Sequence, residues 1–169
     1  EELFIMSRVA IVTGAGTGVG KATAVKLSDV GYTVILIGRR RDKLEETKKA
    51  CNAQTIALPM DVSIETEVKK CFEMVQNTFS RIDLLFNNAG AFLSSKTIDK
   101  IYFDEWKEVI EVNLNGLFLF SKYAFALMKD QSPKGGRIIN NGSVSSITPR
   151  PGSIAYTATK HAVTGMTKS

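Results

Sequence analysis

The sequence predicts an α/β fold: a doubly wound parallel sheet, covered by helices on both faces, in one domain. Three observations predict it. Short continuous runs of aliphatic and β-branched residues, such as RVAIVT (8–13) and YTVILIG (32–38), read as strands buried on both faces. Longer stretches with apolar residues at helical spacing alternate with these runs. Each strand is followed by a polar cluster rich in glycine, asparagine or arginine, where a right-handed βαβ crossover would leave the sheet.

The elements follow in order. RVAIVT (8–13) is the first strand, and GKATAVKLSDVG (20–31) a helix with Gly31 as its C-cap. YTVILIG (32–38) is the second strand, followed by a charged helix through RDKLEETKKACN (41–52). TIALPMDV (55–62) reads as a third strand ending in Asp61, and IETEVKKCFEMVQNTF (64–79) as a helix. RIDLLFNNAG (81–90) is the fourth strand. From Asp104 to about Asp130 the pattern predicts one long helix, with Trp106, Val109, Leu114, Phe118 and Phe125 among its apolar positions. GGRIINNGS (135–143) is the fifth strand, and the last helix begins near Ala155. There is no internal repeat, low-complexity tract or linker. The polar clusters at 13–20, 38–41, 61–62, 87–90 and 140–146 should gather along the carboxyl edge of the sheet, where ligands of such folds lie.

Composition narrows the function classes. With 169 residues, 44% of them hydrophobic, the chain fits one globular domain. No apolar run approaches the roughly 18 residues of a membrane span. EELFIMSR begins with acids, unlike a secretory signal, and Met6 stands just before a strand-like run, so 1–7 read as an N-terminal extension and 8–169 as the domain. Cys51 and Cys71 are isolated and there is one histidine, which excludes the common zinc frameworks; no metal is expected. Both cysteines read as reduced, core-side helix residues, for which the cytoplasm is the simplest compartment. The net charge of +5 is scattered among acids and dense only at RRR (39–41), a solvated surface rather than a nucleic-acid face. Neither nucleic acid nor membrane is an expected partner.

TGAGTGVG (13–20) lies between the first strand and the first helix. Gly14 permits the tight turn, Gly18 and Gly20 allow close backbone approach, and the helix N-terminus offers N–H groups to a pyrophosphate. Asp61 could accept from an adenine amine or merely cap the next helix. NNAG (87–90) offers small residues and amides where the chain would pass a flat ring. Near the end of the chain, Tyr156 and Lys160 are four residues apart, on one helix face. A nearby ammonium favours the phenolate of a tyrosine, whose ordinary pKa is about 10. Such a tyrosine can pass a proton.

The spacing Thr-Gly-x-x-x-Gly-x-Gly resembles the short-chain dehydrogenase/reductase family in its compact single-domain form. Four further matches stand in the right order: Asp61-Val62, NNAG (87–90), Asn113 in VNLNG, and Ser143 thirteen residues before the Tyr156-x-x-x-Lys160 pair. The match runs from about Arg8 to the end of the chain. The resemblance implies a Rossmann-type sheet and hydride transfer between a nicotinamide cofactor and a small-molecule carbonyl or secondary alcohol. Tyr156 would then be the general acid or base. Lys160 would favour its phenolate and bind the nicotinamide ribose, Ser143 would steady the substrate oxygen, and Asn113 would carry a proton relay through water. Gly14, Thr17, Gly18, Val19, Gly20, Asp61, Val62, Asn88, Ala89 and Gly90 would bind the cofactor together with Tyr156 and Lys160. Asn115 and His161 read as structural.

The position that binds the adenosine ribose in such folds is Gly38, followed by Arg39 and Arg40. Guanidinium groups suit a 2′-phosphate, so NADP(H) is favoured and NAD(H) is the alternative. AFLSSK (91–96) and ITPRPGSI (147–154) read as walls of a modest, partly apolar substrate pocket. LFLFSKYAFALM (117–128) is more apolar all round than one buried face requires. With the family's four-helix interface, it implies a homodimer or homotetramer. The chain stops at GMTKS, where family members continue through two more strands and a substrate-covering segment, so it reads as a fragment lacking its C-terminal strands. Two other function classes compete with this reading. A non-catalytic cofactor-binding scaffold or sensor is disfavoured by the complete Ser–Tyr–Lys set. A related epimerase or dehydratase is disfavoured by the glycine spacing.

Overall fold

The continuous apolar runs form strands because both of their faces are covered. In the computed structural model, which describes residues 7–169, β1 (Val9–Thr13) and β2 (Thr33–Gly38) lie side by side at the centre of the sheet. Val9, Ile11, Ile35 and Ile37 enter one core with Val68, Phe72 and Val75 of α3 (Glu65–Phe79) and Phe120 of α5 (Leu117–Asp130). Val12, Val34 and Leu36 enter the other, with Ala24 of α1 (Gly18–Asp29) and Leu44 of α2 (Arg41–Lys49). Alternation between two cores turns a period-2 strand into an unbroken hydrophobic run. Phe72 and Phe120 meet edge to face at 5.7 Å between ring centroids. Each fully buried side chain of this size contributes roughly 1.5–3 kcal/mol.

β3 (Thr55–Pro59), β4 (Leu84–Asn87) and β5 (Arg137–Asn140) complete a five-stranded parallel sheet in the order β3-β2-β1-β4-β5. The chain winds outward from β1 in both directions, so the carboxyl ends of β1 and β4 diverge at the point where a doubly wound sheet opens a crevice. The expected doubly wound α/β architecture is the one observed.

Helix ends follow from local chemistry. Gly31 lies one residue beyond the C-cap Val30 of α1, with φ of +85°. The Gly31 N–H donates to the Ser28 carbonyl and the Tyr32 N–H to the Leu27 carbonyl, a Schellman closure that needs the left-handed residue. At the end of α5, the Gln131 side chain accepts from the Ile82 N–H (2.8 Å) and donates to the carbonyls of Ile82 (3.0 Å) and Gly135 (2.6 Å). It thereby ties α5 to the chain entering β4.

The sequence pattern misplaces several boundaries. β3 ends at Pro59, two residues short of Asp61, because Asp61 is drawn into a turn with Ser63. β4 and β5 are also shorter than read. The segment from 104 to 130 is not one α-helix: α4 (Phe103–Ile110) and α5 are joined by a π turn, Glu111–Gly116. Gly116 packs there against Val62, and a Cβ at this glycine would stand 2.7 Å from Val62 Cγ2. Short 3₁₀ turns at Ile98–Lys100 and Val144–Ser146 precede α4 and α6 (Ile154–Lys168). Cys71 is buried on α3, where burial pushes its thiol up to about 12. Cys51 follows α2 rather than lying on it. Of the expected extension 1–7, all but Ser7 lies outside the described residues. Among the described residues, no helix is long and apolar enough to cross a membrane.

Candidate active site

The turn after β1 fits only glycine at its closest contacts. Gly14 has φ of +64°, and a Cβ there would stand 2.9 Å from Ala89 Cα and from Asn88 Nδ2. A Cβ on Gly20 would run into the Gly14 carbonyl and stand 2.6 Å from Asn88 Nδ2. Asn88 closes the contact by donating from Nδ2 to the carbonyls of Thr13 (3.1 Å) and Gly14 (3.3 Å). The N–H groups of Asn88 and Ala89 both donate to Thr13 Oγ1, at 2.9 and 3.0 Å. Thr17, the N-cap of α1, makes no side-chain cap bond. The first N–H groups of that helix have no partner within it, and its positive dipole end faces the turn.

Beyond this turn lies a cavity of about 410 Å³. Gly14, Gly16 and Thr17 line it from the first turn, and Gly38, Arg39 and Arg40 from the end of β2. Met60, Asp61 and Val62 follow β3, and Asn88, Ala89 and Gly90 follow β4. The four polar clusters that follow these strands therefore meet, as the topology requires. Gly18, Val19 and Gly20, in the first turn of α1, do not line it. A Cβ on Gly18 would meet nothing within 4 Å, so the expected close approach is found at Gly20 and not at Gly18. Lys43, which the sequence reading missed, also lines this cavity and packs its Cβ against Gly16.

Asp61 does not cap the next helix, whose N-cap is Ile64 and has no side-chain cap bond. Its Oδ1 accepts from the Ser63 N–H (2.9 Å) and hydroxyl (2.6 Å) in a turn ahead of α3, while the residue also lines the cavity. Burial pushes the Asp61 carboxyl up, but the two Ser63 hydrogen bonds and the Arg39 charge outweigh it and hold the group below the usual carboxylate range. Arg39 approaches Glu108 only to 3.9 Å, with both side chains more than half exposed.

A second cavity, of about 380 Å³, adjoins the first. Asn88 and Gly90 line both. Ser143, Tyr156 and Lys160 line the second, so the structure brings together the three residues that the spacing singled out. Lys160 is 7% exposed, with Nζ 5.5 Å from the Tyr156 ring centroid. Nζ donates to the Asn141 carbonyl at 2.7 Å, and Asn141 Nδ2 donates to Asn88 Oδ1 at 2.9 Å. Burial pulls the Lys160 pKa below its ordinary value. Asn141 is a further residue that sequence reasoning missed, since it engages Lys160 through its backbone carbonyl, which no residue type signals.

Ser143 has extended backbone and caps the 3₁₀ turn, its Oγ accepting from the Ser145 N–H at 3.1 Å. Ser145 lines the same cavity, whereas the Ser146 hydroxyl is turned onto the Ser143 carbonyl at 2.6 Å. Of the expected pocket walls, Ala91, Phe92, Arg150 and Ser153 line the cavity. Phe92, 62% exposed, stands edge-on to Tyr156 at 5.4 Å. Asn113 lines neither cavity. It is 2% exposed in the π turn, clamps the Ala91 backbone and reaches Thr159 Oγ1 of α6 at 3.3 Å. His161 is exposed, with Nδ1 2.9 Å from the Thr157 carbonyl, and Asn115 donates to Glu111.

Comparison with known proteins places this geometry. The sequence profile described as short chain dehydrogenase matches residues 8–169. An uncharacterized oxidoreductase of Staphylococcus aureus is 38% identical over 165 residues, which cover 97% of this chain and 70% of the relative. A 3beta-hydroxysteroid dehydrogenase of Mediterraneibacter gnavus is 35% identical over 173 residues, covering 98% of this chain and 62% of the relative. The chain thus spans roughly two thirds of the length of these relatives. Among solved structures, a 3-ketoacyl-(acyl-carrier-protein) reductase from Brucella melitensis complexed with NADH is similar with a TM-score of 0.89 at 27% identity. That match covers 95% of this chain and 67% of the other. A metagenomic short-chain oxidoreductase in complex with NADP is similar with a TM-score of 0.90 at 30% identity, over 96% of this chain and 75% of the other.

Proposed function

The chain belongs to the short-chain dehydrogenase family of NAD(P)-dependent oxidoreductases, and from that premise we propose that the whole protein transfers a hydride between NADP(H) and a carbonyl or secondary alcohol carbon, with Tyr156 as general acid in reduction and general base in oxidation. One observation carries this reading. The glycine-lined cavity and the Ser143–Tyr156–Lys160 cavity share Asn88 and Gly90, so a ligand lying along the first can present its far end to the second.

The residues fit a dinucleotide. Gly14 and Gly20 leave room at a turn where a Cβ would collide, and the start of α1 offers unpartnered N–H groups to a pyrophosphate. Gly14, Thr17, Gly18, Val19 and Gly20 would hold the phosphates, and Asp61 and Val62 the adenine end. Asn88, Ala89 and Gly90 would flank the passage to the second cavity. Arg39 and Arg40 favour a 2′-phosphate, hence NADP(H) over NAD(H). When bound, the nicotinamide supplies or takes the hydride.

The chain's own residues do the rest. The Tyr156 hydroxyl gives a proton to, or takes it from, the substrate oxygen. Lys160, fixed by the Asn141 carbonyl, stabilises negative charge developing on the phenol and binds the nicotinamide ribose. Ser143 donates to the substrate oxygen. Asn113 positions the Ala91 loop against α6 and serves the proton relay. The exposed Phe118 and Phe125 of α5, at 52% and 64%, support a homodimer or homotetramer, and the two free cysteines support a cytoplasmic location.

The test is a panel of ketones, secondary alcohols and sugars, offered to the full-length protein with both cofactors while nicotinamide absorbance is followed. Turnover of at least one class, with NADP(H) preferred, is the expected result. Cofactor binding with no turnover of any class would favour a non-catalytic binding protein instead.

A further inference from the structure

The segment Arg150-Pro151-Gly152-Ser153 forms a tight turn whose sequence explains its shape. Proline presets the second position, and Gly152 has φ of +74° at the third, as a type II turn requires. The Arg150 carbonyl accepts from both the Ser153 N–H (3.3 Å) and the Ser153 hydroxyl (2.8 Å). The turn is also fastened to the loop after β4. The Lys96 N–H donates to the Gly152 carbonyl at 3.1 Å, and the Ser95 hydroxyl to the Pro151 carbonyl at 3.4 Å. A Cβ on Gly152 would collide with Ser95 Oγ, so the two strips of chain touch. Ser153 is the N-cap of α6, three residues before Tyr156. The backbone that carries Arg150 is therefore fixed relative to the phenol.

Arg150 lines the Ser143–Tyr156–Lys160 cavity and not the glycine-lined one. No acid lines that cavity, whose charged residues are Arg150 and Lys160. Lys160 is buried and engaged with the Asn141 carbonyl. Among the described residues, the Arg150 guanidinium makes no ion pair or hydrogen bond; its hydrogen bonds are those of its carbonyl. It is a free cation at the wall of a cavity otherwise lined by amides, hydroxyls, two small residues, the buried Lys160 and the rings of Phe92 and Tyr156.

Resting on the hydride-transfer reading above, we propose that the substrate carries a carboxylate, and that Arg150 pairs with it while the carbonyl or alcohol oxygen lies against Ser143 and Tyr156. A guanidinium presents a rigid fork of donors that a carboxylate meets with two parallel hydrogen bonds, which fixes orientation as well as charge. The substrate class is then an oxo acid and the corresponding hydroxy acid. In reduction, the carbonyl carbon gains the hydride, its oxygen gains the Tyr156 proton, and the nicotinamide is oxidised. The carboxylate is unchanged throughout.

The experiment uses pyruvate, acetoacetate and levulinate, each against its methyl ester, so that three spacings between carbonyl and charge are sampled. Both kcat/KM and binding to the complex of the full-length protein with reduced cofactor are measured, the latter by nicotinamide fluorescence. For at least one pair, the acid should exceed its ester by about tenfold or more, the size of a charge-assisted hydrogen-bonded contact. Arg150→Gln should erase that difference through KM, and Arg150→Lys should retain part of it. Unaltered cofactor affinity shows that both variants are folded. Acids that bind selectively without turnover would sink the hydride-transfer reading and leave the anion site standing. Esters equal to their acids in every pair, or selectivity that survives Arg150→Gln, would overturn the proposal.

Discussion

Asn113 holds the Ala91 backbone by both of its groups, its Oδ1 accepting from the Ala91 N–H at 2.6 Å while its Nδ2 donates to the Ala91 carbonyl at 3.0 Å. The π turn of Glu111–Gly116 carries this clamp, which docks the loop after β4 onto the helices behind it. Asn113→Ala leaves two backbone groups unpartnered beside a new void. It should lower unfolding free energy by about 2–4 kcal/mol, from the usual cost of each orphaned group. Denaturant unfolding at constant m-value checks this, and a loss below about 0.5 kcal/mol, within the range of ordinary surface changes, would show that the clamp is dispensable.

Gly20→Ala brings a methyl group into the Gly14 carbonyl and Asn88 Nδ2. Neither can retreat freely, since Asn88 is bonded to Thr13, Gly14 and Asn141. We expect a stability loss of about 1–3 kcal/mol, as for other overpacked sites, and weakened cofactor binding. Calorimetry of cofactor binding, alongside thermal unfolding, reads both. Wild-type affinity in this variant would mean that the turn is not the phosphate site.

Asp83 joins the start of β1 to the approach of β4, accepting from the Val9 N–H at 2.8 Å and from Arg81 Nε at 3.1 Å. Burial raises its pKa, but the Arg81 and Val9 hydrogen bonds outweigh it and hold the folded carboxyl low. A lowered folded pKa contributes stability above the unfolded value of about 3.9 and loses it as pH falls through the folded one. Asp83→Asn should therefore be less stable by about 1–3 kcal/mol at neutral pH, and its deficit should shrink below about pH 4. Urea midpoints across this range decide it; a deficit independent of pH would contradict the assignment.

Arg39 is held only loosely by Glu108, in an exposed pair worth about 0–1 kcal/mol. It is therefore free to meet a 2′-phosphate. Arg39→Asp should weaken NADP(H) and tighten NAD(H), because attraction at that phosphate becomes repulsion. Dissociation constants for both cofactors, before and after the change, provide the check. Equal affinities in the wild type, or tighter NAD(H), would refute the preference for NADP(H).

The strand and helix order was legible because β1 and β2 face two cores and so read as unbroken apolar runs. Strand ends were less so: Asp61 follows a run of strand-like residues, and only its bonds to Ser63 take it out of the sheet. The π turn was invisible to periodicity, since Val112 within it and Leu119 beyond it still pack on the same core. That Ser143, Tyr156 and Lys160 share one cavity was legible because the chemistry proposed for them resides in side chains at fixed spacing. The Asn141 carbonyl, the Ala91 clamp and the turn that fixes Arg150 act through backbone atoms, which leave little mark on residue type.

The most direct test of the account is Tyr156→Phe in the full-length protein, on any substrate that turns over. The change removes the hydroxyl proton and leaves the glycine turn untouched. kcat should fall by about 10²-fold or more, the usual contribution of a positioned acid or base, with the cofactor dissociation constant nearly unchanged. Retention of more than about a tenth of wild-type kcat would contradict Tyr156 as the proton donor and acceptor.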